Sequence, residues 1–131
     1  MGKDKKIEKE IEEKIEDKLD EKIEDLILEI LPVIDNFERA IKLDDDNLED
    51  ELSKFLSGFK MIYTSLISIL EKNEVKAINP IGEEFDPVYH QGVLTETNED
   101  KEDNIVLEVL QKGYIYKDKV IRPAMVKVNK K

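Results

Sequence analysis

His90 is the only histidine of the chain. It stands beside Tyr89 in a stretch, NPIGEEFDPVYHQG (79–92), that is punctuated like loop. A histidine-based zinc site needs several imidazoles at fixed spacing, and one cannot supply it. The chain has no cysteine, which removes thiolate catalysis, disulfides and cysteine metal ligands. Carboxylates are abundant, so paired acids and bases are the chemistry that the composition offers most freely. Most of them fall in helical sequence, where pairs such as Glu10 and Lys14, four apart, belong to a solvated face. Serines and threonines are few, and none has a nucleophile-elbow context. Gly58 and Gly82 are isolated, so there is no glycine-rich phosphate loop. No catalytic residue, metal site or cofactor is assigned, and a hydrolase built on the helical carboxylates is rejected because no pocket-forming element surrounds them.

Composition narrows the remaining classes. Charged residues make up 40% of the 131, and hydrophobic residues another 40%. Ordinary globular chains carry roughly 25% charge. Enough apolar side chain is present to pack, yet the charge exceeds what a compact globule needs, and a long solvated helix accounts for both. The net charge of −11 leaves no basic face for nucleic acid or for an anionic bilayer. No apolar run approaches the ~20 residues that span a membrane, and the opening MGKDKKIEKE lacks a signal-peptide core. A cytoplasmic protein without nucleic-acid or membrane partners is expected.

Residues 3–25 are nearly all Lys, Glu, Asp, Ile and Leu. Ile7, Ile11, Ile15, Leu19 and Ile23 recur every fourth position, which draws one narrow stripe along a helix. The pattern continues through Ile27, Ile30, Ile34, Phe37 and Ile41. Its mean spacing of about 3.8 residues exceeds the 3.5 of a left-handed coiled coil, so a pair of such helices should run nearly straight. The helix, from about residue 4 to 43, would be roughly 60 Å long. A thin stripe of that length needs a partner along it, nothing else in the chain is long enough, and a second copy of the same chain is the economical answer. Pro32 should kink the helix, and from Leu26 to Leu43 the apolar face widens as if to join a bundle. The run Asp44-Asp45-Asp46-Asn47 reads as a loop, with Asp46 or Asn47 capping a second helix from about 48 to 72. Phe59, Ile62 and Leu66 lie on its apolar face, and two such helices per chain, doubled, make a four-helix bundle. The stripe itself reads first as a structural dimer seam with no binding role.

After Asn73 the period changes. Residues 79–92 read as loops with a short helical turn opened by Asp86-Pro87. From Val93 the period is two: a strand at 105–111, strands at 114–116 and 119–122 about a Lys117-Asp118 turn, and a last strand at 124–128. Glu99–Asn104 is an exposed acidic loop. The expected organisation is α+β: a long stalk helix running into the bundle (1–43), a second bundle helix (47–73) and a small C-terminal β-domain (74–131). Leu110, Val120, Ile121, Met125, Val126 and Val128 are more apolar than one face of so small a sheet requires. The surplus is either core at alternate positions or a surface that docks a partner.

Two stretches resemble the GrpE family: ILPVIDNFERAI (30–41) and VLEVLQKGYIYKDKVIRPAMVKV (106–128). Gly58, the second helix and FDPVYHQGV (85–93) fall between them in the family's order, and the resemblance covers about residues 26 to 128. It implies a parallel homodimer with paired long helices, a four-helix bundle and a β-domain projecting as a wing. It also implies a partner, the nucleotide-binding domain of a DnaK-type chaperone, whose cleft is opened so that ADP leaves during protein folding and stress. Carried onto this chain, the chaperone contacts are Leu110, Lys119, Arg122, Pro123, Met125 and Val128, with Met125→Asp or Val128→Asp expected to abolish exchange and spare the dimer. Asp35, Asn36 and Arg39 either join that contact or hold the bundle by hydrogen bonds. An upstream aromatic and arginine-rich segment usual in the family, resembling FENYRKR, is here the Ile-Glu-Lys stalk, and the family's disordered N-terminal tail is missing. A glycine usual after the second helix is Glu74, with Asn73 available for the left-handed cap. The alternative is a dimeric scaffold whose β-domains bind an unrelated partner, and catalysed nucleotide release distinguishes the two.

Overall fold

A computed structural model describes residues 2–42 and 50–131. The loop expected at Asp44–Asn47 and the cap expected at Asp46 or Asn47 lie outside these residues. Two helices lead, α1 (Gly2–Lys42) and α2 (Asp50–Lys72). Six strands follow: β1 (Val75–Ile78), β2 (His90–Glu96), β3 (Val106–Gln111), β4 (Gly113–Tyr116), β5 (Lys119–Arg122) and β6 (Ala124–Asn129). The class is α+β, with a long N-terminal helix and a small C-terminal β-domain. The chain divides into two compact units, Met1–Pro32 and Val33–Lys131.

The first unit belongs to α1. No glycine or proline interrupts the helix between Gly2 and Pro32, and the helical run continues through Pro32. The stripe Ile7, Ile11, Ile15, Leu19 and Ile23 is 40 to 55% exposed in the single chain. Apolar side chains at four-residue spacing are therefore left in water along this stretch, while Ile27 and Leu31 are buried.

The second unit holds the end of α1, α2 and the β-domain. Phe37 on α1 meets Phe59 on α2 with ring centroids 5.8 Å apart, and Phe55 packs edge-on against Phe59 at 5.0 Å. The strands form two three-stranded sheets, β1-β4-β5 and β2-β6-β3. The first is antiparallel throughout. In the second, β6 is central, antiparallel to β3 and parallel to β2. One core takes Ile78 from β1, Val106 and Val109 from β3, and Ala124, Val126 and Val128 from β6, with Ile115 and Val120 packed against it. Side chains from both sheets thus share a single dry interior.

Strands β3 to β6 fall where the period-two pattern placed them. Two strands extend the expectation: β1, and a β2 that starts at His90, inside a stretch read as loop. The turn at Asp86-Pro87 is present: the Val88 amide donates to Asp86 Oδ1 at 2.9 Å, and the Asp86 amide donates to His90 Nδ1 at 2.9 Å. His90 thus closes a turn.

The end of α2 differs from expectation. Asn73 stays on the helical side, its Nδ2 donating to the Ile69 carbonyl at 2.8 Å. Glu74 takes the left-handed position, at φ 65°. Its carbonyl then accepts the Lys117 amide at 3.2 Å, tying the helix end to the β4–β5 turn. Gly113 answers another constraint. A Cβ there would lie 2.4 Å from the Ala124 nitrogen and 2.6 Å from the Arg122 carbonyl oxygen. Two backbones approach at that point too closely for any side chain.

Glu74→Gly should therefore raise the thermal midpoint. The left-handed conformation costs an L-residue roughly 1–2 kcal/mol, and glycine's greater unfolded-state freedom returns part of that gain. Gly113→Ala should lower the midpoint by more than Glu74→Gly raises it. Circular-dichroism melts of the two variants against the parent measure both effects.

Candidate functional site

Bulges decide which β-domain side chains reach the surface. Opposite Tyr114 and Ile115, consecutive on β4, stand Arg122 and Val120 on β5. Ile121 is the extra residue, and a bulge of this kind re-aims the side chains on either side of it. Val120 turns into the core. Arg122 turns to the Tyr114 face, with its guanidinium carbon 5.3 Å from that ring's centroid. On β3, Gln111 and Val109 oppose Met125 and Val126, so Leu110 is the extra residue and remains 39% exposed. Leu110 lines a groove with Ile81, Ile41 and Lys112.

The six residues expected to touch a chaperone consequently divide. Leu110 is exposed, as is Lys119 at the tip of the β4–β5 hairpin. Pro123, half-buried, links β5 to β6, and Met125, also half-buried, faces outward on β6 between Gln91 and Gln111. The next outward residue, Lys127, is paired with Glu108 at 3.1 Å and Glu96 at 3.6 Å, and these carboxylates, Glu108 first, hold its ammonium above its usual pKa. The apolar part of that face is therefore the Met125 end. Val128 does not belong to a surface. It is 2% exposed and lies in the core between the sheets, so a charge placed there attacks the fold before any partner. Arg122 does not present its charge outward either.

Arg122 meets α1 instead. Its Nη1 and Nη2 donate to Asp35 Oδ2 and Oδ1, each at 2.8 Å. Nε and Nη2 also donate to the Lys112 carbonyl, at 3.1 and 2.6 Å. Gln111 Nε2 adds a bond to Asp35 Oδ2 at 3.0 Å. Asp35 is 9% exposed. One turn further along α1, Glu38 pairs with Lys112 Nζ at 3.2 Å and accepts the Tyr63 hydroxyl from α2 at 2.6 Å. Burial first, and then Glu38, push the Tyr63 phenol above its ordinary pKa near 10. Burial also raises Tyr114, with Glu38 adding and Arg122 opposing. Both phenols stay protonated at neutral pH, and Tyr63 stays a donor. Of this network the sequence singled out only Asp35 and Arg122. Glu38, Tyr63, Gln111 and Lys112 carried a faint signal: polar groups interrupting or ending apolar runs.

The helical positions divide as well. Ile34 is fully buried, Ile30, Phe37, Ile41, Phe59 and Leu66 are half-buried, and Ile62 is 57% exposed beside Phe55, Met61 and Ile69, also exposed. Asn36 and Arg39 point to solvent. Among the described residues no group of three His, Asp or Glu is placed to hold a metal, and no helix is long and apolar enough to cross a membrane.

Comparison with known proteins gives a consistent answer. A family model described as GrpE matches residues 3–130. Proteins named "Protein GrpE" align over most of the chain. That of Geobacillus kaustophilus is 49% identical over 104 residues, which is 79% of this chain and 48% of the relative. That of Parageobacillus thermoglucosidasius is 50% identical over 105 residues, 79% of this chain and 46% of its own. The Bacillus subtilis protein is 44% identical over 104 residues, covering 79% and 54%. The chain spans about half the length of these relatives.

The network makes opposite demands on two neighbours. Asp35→Ala strands a guanidinium out of water and should cost about 3 kcal/mol of unfolding free energy. Tyr114→Phe should be neutral or slightly stabilising, because the buried Tyr114 hydroxyl has no hydrogen-bond partner among the described residues and removing an unsatisfied polar group relieves its desolvation. Urea titrations of the two variants check both.

Proposed function

The chain belongs to the GrpE family, and on that premise we propose that it is a nucleotide-exchange factor. In this reading it is a homodimer that binds the nucleotide-binding domain of a DnaK-type chaperone, opens the cleft and accelerates ADP release. The family match across residues 3–130 is the observation that carries the proposal. The protein supplies no chemistry of its own. It acts by binding the open-cleft conformer better than the closed one, since equal affinity for both would shift nothing. Thousandfold faster release needs about 4 kcal/mol of such differential binding.

The docking surface in this reading is the outward side of the wing, meaning the β-domain from Glu74 onward. Leu110, Lys119, Pro123 and Met125 belong to it, an apolar centre with a cationic rim of the kind that interfaces use. Arg122 and Val128 support that surface from behind. The dimer covers what the single chain leaves exposed: the stripe from Ile7 to Ile23, and Ile62 with its apolar neighbours on α2. Two copies of α2 and of the end of α1 would then form the four-helix bundle.

Met125→Asp should reduce catalysed release of a fluorescent ADP analogue to near the spontaneous rate in stopped flow, while light scattering still reports a dimer and circular dichroism a folded wing. Val128→Asp should lose the wing's strand signal itself. Full exchange activity in Met125→Asp would sink the surface assignment.

The stalk makes a separate prediction. Its seam is one side chain wide and flanked by charge, and such weakly packed elements open first. On heating, helical signal from the stalk should be lost reversibly below the main transition. One sharp transition, coincident by circular dichroism and calorimetry, would contradict it.

A further inference from the structure

A projecting domain transmits force only if its mounting is stiff. Apolar packing is non-directional and lets a small domain rock. A guanidinium and a carboxylate joined by two parallel hydrogen bonds fix distance and plane together. That pair is what joins this wing to α1. The bulge at Ile121 aims Arg122 at the helix, both oxygens of Asp35 are taken, and Nε and Nη2 also hold the Lys112 carbonyl. Lys112 is the single residue linking β3 to β4, and its ammonium returns to Glu38 on the same helix. Both sheets are therefore referred, through one arginine and one linking residue, to two carboxylates three positions apart on α1.

We infer that Asp35 is a positioning residue for nucleotide exchange: through Arg122 it holds the wing at a fixed angle on the helices, so that contact made at Met125 and Leu110 is delivered as cleft opening and is not absorbed by rotation of the wing. The inference rests on the exchange-factor reading above. Asp35 is buried, with its bonds going to Arg122 and Gln111 of the wing. Its loss weakens the lever and leaves the grip.

Two variants separate the effects. Asp35→Asn keeps shape and one acceptor oxygen but removes the charge. Asp35→Leu with Arg122→Met removes the directional bond and strands no charge, so the fold is retained. Stopped-flow ADP release is recorded against exchange-factor concentration, giving a plateau rate and a half-saturating concentration. The double variant should lower the plateau by about tenfold or more, with half-saturation shifted less than about threefold, because the lost interaction acts only as the cleft opens. Asp35→Asn should fall between the double variant and the parent. Met125→Asp acts on the grip instead, raising the half-saturating concentration so far that release stays near the spontaneous rate at concentrations that saturate the parent.

A second readout needs no chaperone. The chain has no cysteine, so spin labels at Arg39→Cys and Gln91→Cys, both exposed positions, report the distance from helix to wing in dimers diluted with unlabelled chain. A narrow distribution in the parent and a broad one in the double variant are expected. An unchanged distribution overturns the positioning role, and a broadened one with an unchanged plateau overturns the lever. If the parent chain itself fails to accelerate release, the exchange reading fails, while the distance distributions still decide whether Asp35 fixes the wing.

Discussion

A carboxylate and a guanidinium taken out of water together impose conditions on everything around them. Removing either partner leaves a stranded charge, so Asp35 and Arg122 must arrive together. The helix must present position 35 toward the β-domain, and β5 must break its alternation at Ile121 to present Arg122. The β5–β6 connection must then pass close enough to β4 for Gly113 to have no side chain. The Lys112 carbonyl must face the fork. A bulge, a glycine and a linking residue that look unrelated in the sequence are three solutions to one electrostatic requirement.

The rest of the molecule stands in contrast to that junction. Around Asp35 the charges are few, shielded and paired with defined partners. Along the stalk they are many and face solvent, where an ion pair contributes little. The 40% charge of the composition therefore describes two different physical roles. A large share of it keeps a long helix in water. A small part orients one layer on another.

Much of the fold was legible because helices and local hairpins write their period into adjacent residues. The four-residue recurrence of isoleucine located α1, and alternation located β3 to β6. Side-chain direction in the wing was far less legible. Alternation puts Val120 and Arg122 on one face, and the bulge at Ile121 separates them. Val128 looked like one of several surplus apolar residues, and only the pairing of β6 between β2 and β3 shows that it is enclosed. β1 and β2 escaped notice because their partners are distant in sequence and their own alternation is broken, by Gly92 and a bulge at Val93 in β2. Glu74 taking the left-handed position in place of Asn73 reflects a tertiary demand, the carbonyl needed by Lys117, that no local preference encodes. The docking surface came from resemblance, and the geometry sorted its members into those that face outward and those that hold them in place.

The position of β6 in its sheet has a consequence for how the protein comes into being. It is the central strand, yet it follows every other strand in the chain. While a ribosome is making the protein, β2 and β3 emerge with no neighbour to pair with, and their ladders can form only after residues 124–129 have been added. Long-range and parallel pairings are slow to form, and unpaired edges in the interval invite association with other chains. The helices have no such dependence on the end of the chain. Newly made copies would hold helix before they hold a finished wing, and the protein would itself be briefly a client for the kind of protection that chaperones give.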